Sequence, residues 1–158
     1  MPHIHDLYDF TVSGFILHPF EPKICLHKHK KLGVWLQPGG HIELNEDPLE
    51  ALSHELREEV GLSADSYHII ERIDQPSSRG AKILPLPFNL NVHDYNDTHK
   101  HIDLSYLIRA THETLQPEAG ESDQIDWFSL QEIENLHNEG TMFDGTYDIC
   151  LWIFNNVM

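Results

Sequence analysis

Gly40-x5-Glu46-x7-His54-Glu55-Leu56-Arg57-Glu58-Glu59-Val60-Gly61-Leu62 is the stretch from which both fold and chemistry can be read. Glu55, Glu58 and Glu59 are spaced i, i+3 and i+4, so on a helix the three carboxylates share one side. Local chemistry sets the helix bounds. Asp47 is an N-cap, Pro48 suits the first helical position, Glu50 completes a capping box, and Gly61 supplies the left-handed residue that ends the helix. The acids therefore fall in the last turn, where the macrodipole disfavours negative charge. Like charges at i, i+4 cost a further ~0.2–0.5 kcal/mol per pair, which Arg57 relieves only in part. A locally unfavourable crowd of hard oxygen donors is what a Mg²⁺ or Mn²⁺ site requires before the ion binds.

Turning about 100° per residue, Leu49, Leu52, Leu56 and Val60 form one apolar stripe, which predicts the buried face. Glu59 flanks the stripe, Glu55 lies beside Glu59, and Glu58 is furthest out, an arrangement expected on the wall of a cleft. The competing reading is a solvated acidic face. Such a face would carry its acids early in the helix and its lysines late. The Gly39-Gly40 pair just upstream favours the metal reading, because glycines let the backbone approach a ligand and the Gly39 carbonyl is itself a potential metal donor.

Residues 40–62 resemble the signature box of the Nudix hydrolases, Gly-x5-Glu-x7-Arg-Glu-apolar-x-Glu-Glu-x-Gly-apolar, with His54 in place of the Arg as the one departure. The resemblance implies that Glu55, Glu58 and Glu59 bind divalent metal. It also implies a structural pairing of the Arg position with Glu46. His54 is shorter and near neutral at pH 7, so the departure bears on the rigidity of the loop more than on the chemistry.

The composition is compatible with this. At 158 residues and 18.3 kDa the chain, residues 1–158, is expected to be a single domain. Ten basic against 26 acidic residues give a net charge of −16, which argues against non-specific nucleic-acid or anionic-membrane binding. A compact phosphorylated substrate entering with a metal ion remains compatible. Cys25 and Cys150 form no metal motif and are expected to be buried thiols in a reducing compartment. No signal peptide and no apolar run of about 18 residues is present, so a soluble, cytoplasmic protein without membrane contact is expected.

Strands are expected at residues 10–17, 23–29, 34–37, 67–73, 88–92, 101–110 and 124–130, with further helices at 130–138 and 146–157. A loop rich in Pro, Ser and Gly covers residues 75–86. This order predicts an α+β fold. The Nudix resemblance makes it an α/β/α sandwich with a mixed sheet between helices and the box as a loop–helix–loop.

Further residues invite a role. Similar enzymes carry an acid several residues before a Trp that opens the final strand, which selects Glu121, with Glu118 as second choice, as an added ligand or base. A polar surface loop is the plain alternative. Lys28, Lys30 and Lys31 form a basic cluster that suits phosphate, against an ordinary solvated turn. Arg79 and Lys82 are weaker candidates of the same kind. His99, His101 and Asp103 alternate along one strand with His93 on its neighbour, so His93, His101 and Asp103 are candidates for a second metal, of the Zn²⁺ type, against hydrogen-bonded or exposed histidines. His3 and His5 carry less weight. Trp35, Phe88 and Tyr106 are candidates to stack on a base, or core residues.

Together these readings predict metal-assisted hydrolysis of a phosphoanhydride in a nucleoside diphosphate linked to another group, such as a nucleotide sugar or ADP-ribose. Glu55 is the first choice for the base and Glu121 the second. Pro76 stands where ADP-ribose-hydrolysing relatives often carry a proline, and residues 84–88 share little with the segment typical of NADH-cleaving relatives. The enzymatic alternative is a nucleoside triphosphate pyrophosphohydrolase that clears damaged nucleotides. The alternative of another class is a non-catalytic nucleotide-binding regulatory domain, which would usually have lost one of the acids that this chain retains. Relatives are often homodimers, and nothing in the sequence marks an interface.

Overall fold

The structure, a computed structural model, describes residues 4–158, so His3 lies outside the described residues. A mixed sheet is built from β1 (Tyr8–Leu17), β2 (Ile24–Lys28), β3 (Trp35–Leu36), β4 (Gly39–His41), β5 (Tyr67–Ile69), β6 (Asn89–Asp94), β7 (Lys100–Ala110) and β8 (Ile125–Phe128). Three helices accompany it: α1 (Pro48–Val60), α2 (Leu130–Asn138) and α3 (Asp144–Asn156). The order β3-β2-β1-β7-β5 forms the main path, while β4 pairs with β1, β6 with β7 and β8 with β2. β1 and β7 run parallel over their shared length, and the other pairings are antiparallel.

Alternation along β1 divides the core between the two faces. Val12 and Ile16 pack with Leu52, Leu56 and Val60 of α1. Phe15 and Leu17 pack with Ile133 of α2 and with Cys150 and Ile153 of α3. The fold is therefore the expected α+β sandwich. Cys25 and Cys150 are buried free thiols, and burial pushes the Cys150 thiol up to about 12. Among the described residues no helix is long and apolar enough to cross a membrane.

The elements depart from the sequence expectation in two informative places. Residues 39–41, beyond the strand expected at 34–37, form a strand of their own, with Gly39, Gly40 and His41 opposite Ser13, Val12 and Thr11. A Cβ on Gly39 would collide with the Val12 carbonyl oxygen, so this close pairing requires glycine there. The second departure is β5, which ends at Ile69 instead of residue 73. β5 and β6 share one edge of β7, β5 opposite Ile108 to Ala110 and β6 opposite Lys100 to Ser105. Between them the Ile70 N–H donates to the Leu107 carbonyl and the Phe88 N–H to the Ser105 carbonyl.

At α1 the local rules hold. Asp47 accepts from the Leu49 and Glu50 N–H groups at 2.8 and 3.0 Å, and Glu50 accepts from the Asp47 N–H at 2.8 Å. Gly61 closes the helix at φ 83°, in the left-handed region. Leu56, fully buried between α1 and the sheet, is predicted to cost about 2–5 kcal/mol when cut to Ala. Leu44→Ala, at a residue 83 % exposed, should stay within about 0.5 kcal/mol. Denaturant unfolding of the two variants checks the contrast.

Candidate active site

The last turn of α1 carries the acids, and β4 meets that turn directly. The Gly39 N–H donates to Glu59 Oε2 at 2.8 Å. A Cβ on Gly40 would collide with the Glu55 carboxylate, so the backbone lies against that side chain with nothing between. Glu55 is the most enclosed of the three acids, at 7 % exposure, while the Glu59 and Glu58 side chains keep 13 % and 32 %. The helical wheel alone places Glu59 nearest the core. The contact with β4 reverses the order, because Gly40 lies directly against the Glu55 carboxylate.

Burial raises the Glu55 carboxyl to about 7, against a lowering by His54 and with further repulsion from Glu58, Glu121 and Glu46. Burial also raises Glu59 to about 8, helped by repulsion from Glu55, even though the Gly39 hydrogen bond opposes the shift. His27 Nε2 stands 3.9 Å from Glu59 Oε2 and is itself lowered to about 4 by burial, so it brings no positive charge near neutral pH. Two carboxyls that resist ionisation, side by side and without a buried cation, form a donor set suited to a hard divalent ion.

His54 keeps the link that its position implies and adds another. Its Nδ1 lies 3.1 Å from Glu46 Oε1 and its Nε2 2.8 Å from Glu58 Oε1. Burial lowers the imidazole, but the Glu58 and Glu46 carboxylates outweigh it and raise the pKa overall. The shorter side chain thus ties the loop to the helix through Glu46 while orienting Glu58.

A third segment closes on the same turn. The Gln116 N–H donates to the Val60 carbonyl at 2.8 Å and the Glu118 N–H to the Glu58 carbonyl at 2.7 Å. Glu118 pairs with Arg57 at 3.6 Å, whereas Glu121 is close enough to Glu55 and Glu59 to repel both. Lys30 donates through Nζ to the Gly120 carbonyl, and the Lys28 carbonyl accepts from Ser122 Oγ at 2.7 Å. Lys28 and Lys30 are therefore brought to the segment that carries Glu121. Arg79 is exposed on the 74–88 segment, whose Lys82 pairs with Asp47 at 2.7 Å, at the opposite end of α1 from Glu58 and Glu59.

The aromatic candidates are engaged in packing. Trp35 meets Phe128 edge-on at 4.9 Å, Phe88 meets Phe15 at 5.7 Å, and Tyr106 is 1 % exposed. Asp103 is occupied as well, accepting from Thr11, Ser13 and Ser105 hydroxyls at 2.8, 2.9 and 2.7 Å. The carboxylate beside His101 is instead Asp9, with His41 as the second imidazole of the group, while His93, the cross-strand partner of His101, turns its Nδ1 to Asn91 Oδ1 at 2.9 Å. Sequence reasoning missed both. Their only available signal was pairing partners, since Asp9 and His41 sit on strands that do not neighbour β6.

Comparison with known proteins agrees with this geometry. Residues 9–146 match the NUDIX domain family model. A Lactococcus lactis subsp. cremoris protein described as "Probable DHNTP pyrophosphohydrolase" is 27 % identical over 78 % of this chain and 65 % of its own length. The crystal structure of a NUDIX-family hydrolase from Clostridium perfringens superposes with a TM-score of 0.78 at 31 % identity, covering 95 % of this chain and 98 % of that one. The C. elegans Ap4A hydrolase shares the fold, with a TM-score of 0.68 at 13 % identity over 94 % of this chain and 97 % of that one. The chain spans just under two-thirds of the length of the first of these relatives.

The raised carboxyls set a sign for pH. Each acid favours the folded state least once it is ionised, so metal-free protein should lose stability as pH rises from the usual carboxyl value of about 4.5 to about 7 for Glu55 and 8 for Glu59. His54 acts in the same direction, its stabilisation being complete below about 6.5 and lost above its raised folded value. Thermal melts between about pH 5 and 8 should show the fall, saturating Mg²⁺ should remove most of it, and Glu55→Gln should flatten it. A metal-free Tm that rises across this range would mean that burial does not hold these carboxyls in their protonated form.

Proposed function

The chain belongs to the NUDIX family, and we propose that it is a divalent-metal-dependent pyrophosphohydrolase of nucleoside diphosphates linked to a second group, of the nucleotide-sugar or ADP-ribose type. One observation carries this reading: Glu55, Glu58 and Glu59 converge with the Gly39-Gly40 backbone and with Glu121 at one end of α1. Glu55, Glu58 and Glu59, with the Gly39 carbonyl, would hold Mg²⁺ or Mn²⁺. When bound, such an ion neutralises diphosphate charge and makes a water nucleophilic near neutral pH.

The remaining roles belong to the chain. Glu55, the most enclosed of the three acids and set against the Gly40 backbone, is the first candidate for the general base, and Glu121 is the second. His54 fixes the Glu58 carboxylate through its Nε2, and the Gly39 N–H fixes Glu59. Lys28 and Lys30 lie beside the Glu121 segment and would meet substrate phosphate. Arg79 serves that purpose only if the 74–88 segment swings along the helix, so it ranks below them.

A second reading, release of pyrophosphate from a triphosphate, is favoured by the description of the Lactococcus lactis relative. A panel of nucleotide sugars, ADP-ribose, dinucleoside polyphosphates and nucleoside triphosphates separates the two. Turnover should require Mg²⁺ or Mn²⁺, and Glu58→Gln or Glu59→Gln should lower kcat/KM by about 100-fold or more. Hydrolysis that persists in both variants would remove the proposed metal site. Tight nucleotide binding with no turnover would favour a regulatory domain. If Glu55 is the base, Glu55→Gln should lose the acidic limb of the kcat profile, the fall in rate at low pH, while Glu121→Gln keeps it.

A further inference from the structure

A second set of donors converges on the face of the sheet opposite the acids. Successive strand residues point to opposite faces, so Gly40 abuts Glu55 while His41, opposite Thr11, lies on the other side. The parallel register of β1 and β7 sets Asp9 beside His101 on that same side. Asp9, His41 and His101 each offer one ligand atom, and these atoms all lie within 4.8 Å of one another. Asp9 is fully buried and His101 is 8 % exposed.

The spacing between His41 and Asp9 is that of neighbouring ligands. His41 Nε2 is 3.3 Å from Asp9 Oδ2. Donors at about 2.0–2.1 Å from a tetrahedral Zn²⁺ are separated by about 3.3–3.4 Å. The surroundings hold the donors in place. Asp9 Oδ1 accepts from the Ile4 and His5 N–H groups at 3.1 and 2.8 Å, and His99 Nε2 lies 3.3 Å from Asp9 Oδ2. The Tyr95 ring stacks on His101 at 4.9 Å. Such supporting contacts orient metal ligands in known sites.

We propose that Asp9, His41 and His101 form a second metal site, for Zn²⁺ or a similar borderline divalent ion, distinct from the carboxylate cluster on α1. Two imidazoles and one carboxylate suit such an ion better than Mg²⁺, which takes oxygen ligands. The site joins β1, β4 and β7. Through His41 it fixes the strand whose Gly39 N–H holds Glu59.

The test uses the full chain stripped of metal with a chelator and titrated with Zn²⁺ in excess Mg²⁺, with bound metal counted after gel filtration. One Zn²⁺ per chain should remain bound in the wild type and in the Glu58→Gln/Glu59→Gln double variant, and Zn²⁺ should raise Tm by about 3 °C or more. Affinity should fall by at least about 10-fold in His101→Ala. The same loss should appear in His41→Gln, at the less buried ligand, should His101→Ala fail to fold. Co²⁺ should give the visible absorption of a tetrahedral imidazole site in the wild type and lose it in either His variant. No tight Zn²⁺ in the wild type would overturn the proposal. So would Zn²⁺ retained by the His variants, or Zn²⁺ lost only from the double Glu variant, which would place the ion at the carboxylates.

Discussion

The contact on which the rest of the site depends is that between two glycines and the last turn of α1. Gly39 reaches Glu59 through its N–H, and Gly40 leaves space that the Glu55 carboxylate fills. A side chain at Gly40 would push the strand from the helix, and one at Gly39 would push it from β1. This approach buries two acids that the helix end already disfavours, and the same burial raises their proton affinity. Strand pairing, helix termination and site electrostatics are one arrangement, with the charge crowding placed where the proposed divalent ion would relieve it.

The neighbouring parts limit how that arrangement can relax. His54 spans Glu46 and Glu58, so the loop before the helix and the outermost acid move together. The segment through Glu118 and Glu121 bonds to the carbonyls of the last turn, which otherwise lack partners at a helix end. That segment brings another negative charge towards Glu55 and Glu59, and Lys30 anchors it through the Gly120 carbonyl. In a protein with a net charge of −16, basic groups gathered around this segment would favour the approach of an anionic substrate such as the one proposed.

Much of the fold was legible in short-range pattern. The Asp47–Glu50 capping box, the Leu52/Leu56/Val60 stripe, the Gly61 stop and the shared face of His101 and Asp103 on β7 follow from interactions within a few residues, and each appears as read. The errors share a cause. β5 stops early because β6 occupies the remaining edge of β7, and Gly39–His41 becomes a strand because β1 offers it an edge. Competition for a strand edge has no local signature.

The same distinction separates the two clusters of donors. The three acids of α1 lie within about one helical turn, so spacing alone brought them together. Asp9, His41 and His101 come from three strands and meet only through the β1–β4 and β1–β7 registers. Alternation correctly put His101 and Asp103 on one face, yet hydroxyls from β1 and β7 claimed Asp103, and Asp9 took the place beside the imidazole. By itself the sequence determined the helix, its caps and the shared side of its carboxylates, because those depend on the geometry of one helix. Only the tertiary structure decided how deeply each acid is buried and which histidines meet a carboxylate, because both depend on which strand lies alongside.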